Sequence, residues 1–99
     1  MYRGTTPTLK FALPFDASLI AAGNVSIAQN GNVIIDRAKR DWVISGREVK
    51  ITLAQQETLQ LQPNTNVEIQ MRIRLADGTA LASKIFSLTA ERVLKDGEI

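Results

Sequence analysis

The sequence has no cysteine and no histidine among its 99 residues. Without thiols there is neither a disulfide scaffold nor a thiolate metal site, and without imidazole the commonest general base is missing. Ser-His and Cys-His nucleophilic pairs are excluded as well. Neither phosphate-loop pattern, GxxxxGK[S/T] or GxGxxG, occurs, and there is no D-x-D spacing of a calcium loop. The aspartates Asp16, Asp36, Asp41, Asp77 and Asp96 fall at predicted turns or strand ends and are read as turn and cap residues. No catalytic residue, cofactor, metal or small-molecule substrate is expected.

Other scarcities narrow the class further. Aromatic residues are only 5% of the chain, too few for an extended sugar- or base-stacking platform. No apolar run approaches the length of a membrane span, and the opening MYRGTTPT lacks the apolar stretch of a signal peptide. No membrane contact is expected. With 6 Gly and 3 Pro beside 44% hydrophobic and 22% charged residues, the composition is that of a folded globule. Its length predicts one domain over residues 1–99.

The net charge is +2, although the pI is about 9.3. With no histidine or cysteine to titrate between carboxylates and lysines, a small cationic excess carries the pI far upward. A nucleic-acid surface would need the cations gathered on one face. The densest cluster, Arg37-Ala38-Lys39-Arg40-Asp41-Trp42, is diluted by Asp36 and Asp41. It is read as a solvated loop beside Trp42, itself a core or subunit-contact anchor.

What the chain does have is alternation. TLKFALPF places Leu9, Phe11, Leu13 and Phe15 on one side, a half-buried strand that Pro14 ends or confines to a sheet edge. DASLIAAG reads as a helical turn capped by Asp16 or Ser18. NVSIAQ and NVIID, with Val25, Ile27, Val33 and Ile35 inward, flank Asn30-Gly31, a strong hairpin signal. DWVIS and REVKITL supply two more strands, the second with Val49, Ile51 and Leu53 inward. AQQETLQL breaks the alternation, with Thr52 and Gln55 read as a capping box, and Pro63-Asn64 turns into the last hairpin. The sum predicts an all-β, antiparallel β-sandwich, immunoglobulin-like, with about seven strands and a long C-terminal hairpin. A small barrel is the alternative.

That hairpin, NVEIQMRIRLADGTALASKIFSL, carries the functional expectation. Val67, Ile69, Met71, Ile73 and Leu75 point inward, leaving Glu68, Gln70, Arg72 and Arg74 outside. The register of the return strand turns on the loop. A three-residue loop, Ala76-Asp77-Gly78, sends Leu81, Ser83 and Ile85 to the core and Lys84 and Phe86 beside the arginines. A two-residue Asp-Gly turn exchanges the sets and buries Lys84, so the longer loop is favoured. Arginines beside an apolar anchor are typical of interface cores. The expected protein interface is therefore Glu68, Gln70, Arg72, Arg74, Lys84 and Phe86, with Trp42.

The segments YRGTTPTLKFALPFD, LAQQETLQL, VEIQMRIRLADGTALASKI and VLKDGEI, with the isolated Gln29, resemble small proteins encoded among the structural genes of temperate phages and prophages of Gram-positive bacteria. The overall form is similar to the N-terminal domains of baseplate and tail-fibre proteins. Gln55-Gln56 departs from the more acidic pair expected there. The resemblance implies a non-enzymatic virion structural or assembly protein of tail, baseplate or head-tail region. It would be a homo-oligomer that contacts other phage structural proteins, located in the cytoplasm during assembly and then in the virion. Met1 to Thr8 and Val93 to Ile99 are expected either as arms that order on a neighbour or as ordinary frayed ends. A carbohydrate-binding sandwich used in host adhesion is the alternative, followed by nucleic-acid binding.

Overall fold

In a computed structural model describing residues 1–99, the alternating segments become eight strands. These are β1 (Thr8–Ala12), β2 (Ile20–Gln29), β3 (Asn32–Ala38), β4 (Val43–Ser45), β5 (Glu48–Thr52), β6 (Thr65–Leu75), β7 (Ala80–Ala82) and β8 (Phe86–Ala90). One sheet has the order β1-β5-β4; the other runs β3-β2-β6, with β7 and β8 in succession along the far side of β6. All of these pairings are antiparallel. Inward residues of both sheets, Val49, Ile51 and Leu53 against Val25, Ile27, Val67, Ile69 and Met71, form a single buried cluster. The all-β character and the inward sets of β2, β5 and β6 follow the period-2 pattern directly.

Local chemistry sets the turns. Asn30 and Gly31 have φ of 52° and 79°, and Gln29 pairs with Asn32, so this is the two-residue hairpin that Asn-Gly favours. Val33 nevertheless points outward, contrary to the alternation. Ile27 opposes Ile35 and Ala28 opposes Val33, which leaves Ile34 as an extra residue and turns Val33 to solvent. Asp16 caps the turn Ala17–Leu19 by accepting from the Ser18 amide. The helical turn α1 (Gln55–Thr58) is closed by Glu57, whose Oε1 accepts from Ala54 N at 2.8 Å. The expected Thr52–Gln55 box does not form because Thr52 is still in β5, paired with Thr8.

Both termini are hydrogen-bonded to their own chain, where arms for a neighbour or frayed ends were expected. The Met1 ammonium donates to Thr89 O, Glu91 N donates to Met1 O, and Arg3 N donates to Glu91 O. The Arg3 guanidinium donates to Leu59 O and Leu61 O and pairs with Asp96, while Gln55 exchanges two hydrogen bonds with Ile99. Buried Gln29 ties the β2–β3 end to the loop before β6. Its Nε2 donates to Gln62 O at 3.0 Å, and its Oε1 accepts from Gln62 N at 2.7 Å.

Trp42, read as a core or subunit-contact anchor, is in the core of its own chain. It is 8% exposed, and its indole N–H donates to Arg37 O at 3.1 Å. The ring lies on Gly23, where an added Cβ would stand 2.6 Å from Trp42 Cη2 and 3.0 Å from Arg72 O. Gly23→Ala is therefore expected to destabilise the fold by about 1–3 kcal/mol, as overpacking does. Urea unfolding followed by Trp42 fluorescence reads the loss as a lower midpoint with an unchanged slope.

Candidate functional site

The last hairpin is built around β6. Leu75 N donates to Thr79 O at 2.8 Å, Gly78 N donates to Leu75 O at 2.9 Å, and Gly78 has φ of 93°. This is the three-residue loop Ala76-Asp77-Gly78, and it pairs Arg74 with Ala80, Ile73 with Leu81 and Arg72 with Ala82. Ala80 and Ala82 thus lie beside the arginines.

Beyond Ser83 the register changes. Ser83 still opposes Met71, since its N–H donates to Met71 O, but Phe86 already opposes Ile69. Lys84 and Ile85 together therefore face the single position of Gln70, a β-bulge. Ser83 holds it: its hydroxyl accepts from Met71 N at 3.0 Å and donates to Lys84 O at 2.8 Å, while Gln70 Nε2 donates to Ser83 O. Phe86 is consequently turned away from the arginines. It stands on the inner side, edge-on to Phe11 at 6.4 Å, with Lys84 Nζ 5.2 Å from its ring. Ile85, expected in the core, is the extra residue and is exposed; Leu81, also expected in the core, is exposed at the middle of the three-residue β7, which no second sheet covers. A hydroxyl at an inward position, Ser83, was the one sequence signal of this bulge.

The outer face of β6 gains residues that strand alternation could not supply. The turn Lys39–Asp41 carries Lys39 and Arg40 to Arg72 and Arg74 around a shallow depression of about 860 Å³. Small residues floor it, among them Ala22, Gly23, Ala38 and Ala80. None of the four cations makes an ion pair. Arg37, by contrast, is committed to the fold through Glu57 at 2.7 Å and Asp41 at 3.5 Å. The cationic segment is thus divided between structure and surface.

Along β2 the partners of β6 run Ala22 with Arg74, Asn24 with Arg72, Ser26 with Gln70 and Ala28 with Glu68. Asp36 stands opposite Ser26 on the other side and accepts from Asn24 Nδ2 at 2.8 Å. The face is therefore dipolar. Arg74 and Glu68 lie roughly 20 Å apart at about 3.3 Å per residue. No family model, curated protein or solved structure matches this chain.

Ser83→Ala leaves Met71 N–H without its acceptor and is expected to cost about 1–3 kcal/mol, measured by urea unfolding. A separate expectation concerns acid. The Thr79 backbone and side-chain donors lower the Asp77 pKa from 3.8, and those of Ser18 lower the Asp16 pKa likewise. Folding thus favours both charged forms. Their contribution is present above the unfolded value of 3.8 and disappears as pH falls through the lower folded values. A double Asp16→Asn, Asp77→Asn variant should lose less stability than the parent between about pH 5 and pH 2 in urea titrations.

Proposed function

We propose that this chain is a non-enzymatic structural or assembly protein of a phage or prophage virion, an immunoglobulin-like sandwich that acts by protein–protein contact. Its contact surface is the outer face of β6, with Arg72 and Arg74 central. The supporting observation is the set of four unpaired cations, Lys39, Arg40, Arg72 and Arg74, around a floor of small residues. The alanines on that floor let a partner backbone approach closely, and guanidinium groups that make no ion pair within the chain are free to pair across an interface. The setting comes from the resemblance of the sequence, with assembly in the cytoplasm followed by incorporation into the virion.

The dipolar face is self-complementary. Two copies related by a two-fold axis set the basic end of each against Glu68 and Asp36 of the other, an isologous homo-oligomer contact. Exposed ion pairs contribute about 0–1 kcal/mol each, so several such pairs together with hydrogen bonds from Asn24, Ser26 and Gln70 would orient the contact. Other virion proteins with acidic surfaces would use the same cations.

Nucleic-acid binding is the second reading, favoured by the gathering of Lys39 and Arg40 with Arg72 and Arg74 on one surface. Asp36 and Glu68 on that face oppose it. The carbohydrate reading has less support, since Trp42 is closed off in the core.

Arg72→Glu with Arg74→Glu should leave the circular dichroism unchanged and weaken self-association by at least about tenfold. Light scattering behind a sizing column, at several concentrations and in low and moderate salt, measures this. Equal assembly by the double variant would remove the face from the contact, and a parent monomer throughout would leave only a different partner. Duplex DNA binding that falls by about 0.9 log units per phosphate contacted for each tenfold rise in salt would instead favour the second reading.

A further inference from the structure

A second surface lies on the opposite side of the molecule's chemistry, at the edge of the smaller sheet. Strand β1 pairs only with β5. Leu13 N donates to Arg47 O and Leu53 N donates to Pro7 O, so the odd-numbered residues of β1 turn their backbone groups toward β5. Antiparallel alternation then turns the N–H and C=O groups of Thr8, Lys10 and Ala12 to the free edge. None of these groups has a partner within the chain.

Beside this edge a groove of about 520 Å³ runs between the two sheets, lined by Leu9, Phe11, Leu13, Ile69, Met71 and Phe86. Thr8, Lys10 and Ala12 contribute to its rim. The N-terminal segment covers the β8 edge only at Thr89 and Glu91, and the bulge at Lys84 and Ile85 interrupts the strand on the far wall. An apolar slot therefore adjoins a row of unpaired backbone donors and acceptors. Those are the two requirements for adding a strand: main-chain bonds for affinity and a pocket for alternate side chains.

Charge narrows the occupant. Lys10 is at the centre of β1, directly opposite Lys50, whose nearest carboxylate is Glu48 at 3.3 Å. Lys10 has no carboxylate partner, nor has Lys84 over the Phe86 ring. A second β1 paired antiparallel about its centre would add another lysine to a like-charged pair, which disfavours a copy of this chain. An acidic side chain at that position would be attracted by the Lys10 ammonium, which has no carboxylate partner.

We propose that the β1 edge captures, as an added strand, an extended segment of a different polypeptide whose apolar side chains alternate with polar ones that include an acidic residue opposite Lys10. This site is separate from the β6 face and does not depend on that assignment.

The probe is a fluorescein-labelled synthetic heptapeptide alternating valine with threonine, glutamate and threonine, titrated against the full chain by fluorescence anisotropy. Saturable binding is expected. Ala12→Pro removes one outward-facing donor without touching the β5 ladder and should weaken binding by about fivefold or more. Lys10→Glu should reverse the preference, favouring the same peptide with lysine in place of glutamate. Circular dichroism checks that each variant folds; if Ala12→Pro does not, the charge reversal decides alone. Absence of saturable binding, no weakening in a folded Ala12→Pro variant, or an unchanged peptide preference in Lys10→Glu would overturn the proposal. So would concentration-dependent dimerisation abolished by Ala12→Pro, because the occupant would then be a second copy.

Discussion

The rest of the structure depends on β6. Its 11 residues alternate without interruption, burying Val67, Ile69, Met71 and Ile73, and it pairs with β2 on one side and with β7 and β8 on the other. Burying each such side chain is worth roughly 1.5–3 kcal/mol, far more than an exposed charge on the opposite face. The inward set therefore decides where the strand lies. Glu68, Gln70, Arg72 and Arg74 are displayed on the other face as a consequence, at spacings imposed by the pleat.

Irregularities around that strand are placed where they have consequences. Gly23 gives up a side chain so that Trp42 can close one end of the core. The Ser83 bulge spends one residue to bring Phe86 from the outer track to the inner one, against Phe11. It also breaks the strand beside the free edge of β1, so the feature that completes the core wall leaves the neighbouring groove accessible. Termini that could have been loose are held by Arg3 and by the Gln55–Ile99 pair. Arg3 satisfies carbonyls near the end of α1 and reaches Asp96 at once, so one guanidinium links both chain ends to the middle of the sequence.

Much of this was legible from period and turn chemistry. The Asn30-Gly31 hairpin, the three-residue loop ending at Gly78, and the inward residues of β2, β5 and β6 follow from steric rules that act over a few residues. The count of about seven strands becomes eight because the return strand is divided by its bulge. Val33, Ile85 and Phe86 were misplaced because an inserted residue puts the side chains before and after it out of step while leaving composition unchanged. Thr52 was assigned to a cap because its spacing suited one, but pairing with Thr8, distant in sequence, kept it in a strand.

By itself, the sequence determined the all-β class, the absence of thiol and imidazole chemistry, and the outward positions of Arg72 and Arg74. These depend on residue identity and on a period of two, both local properties. Tertiary structure alone decided that Lys39 and Arg40 stand with those arginines, that Trp42 and Gln29 are interior, and that β1 has a free edge beside an apolar groove. Such juxtapositions join segments tens of residues apart. They arise when two sheets close over one core, and no local pattern encodes which outward residues that closure brings together.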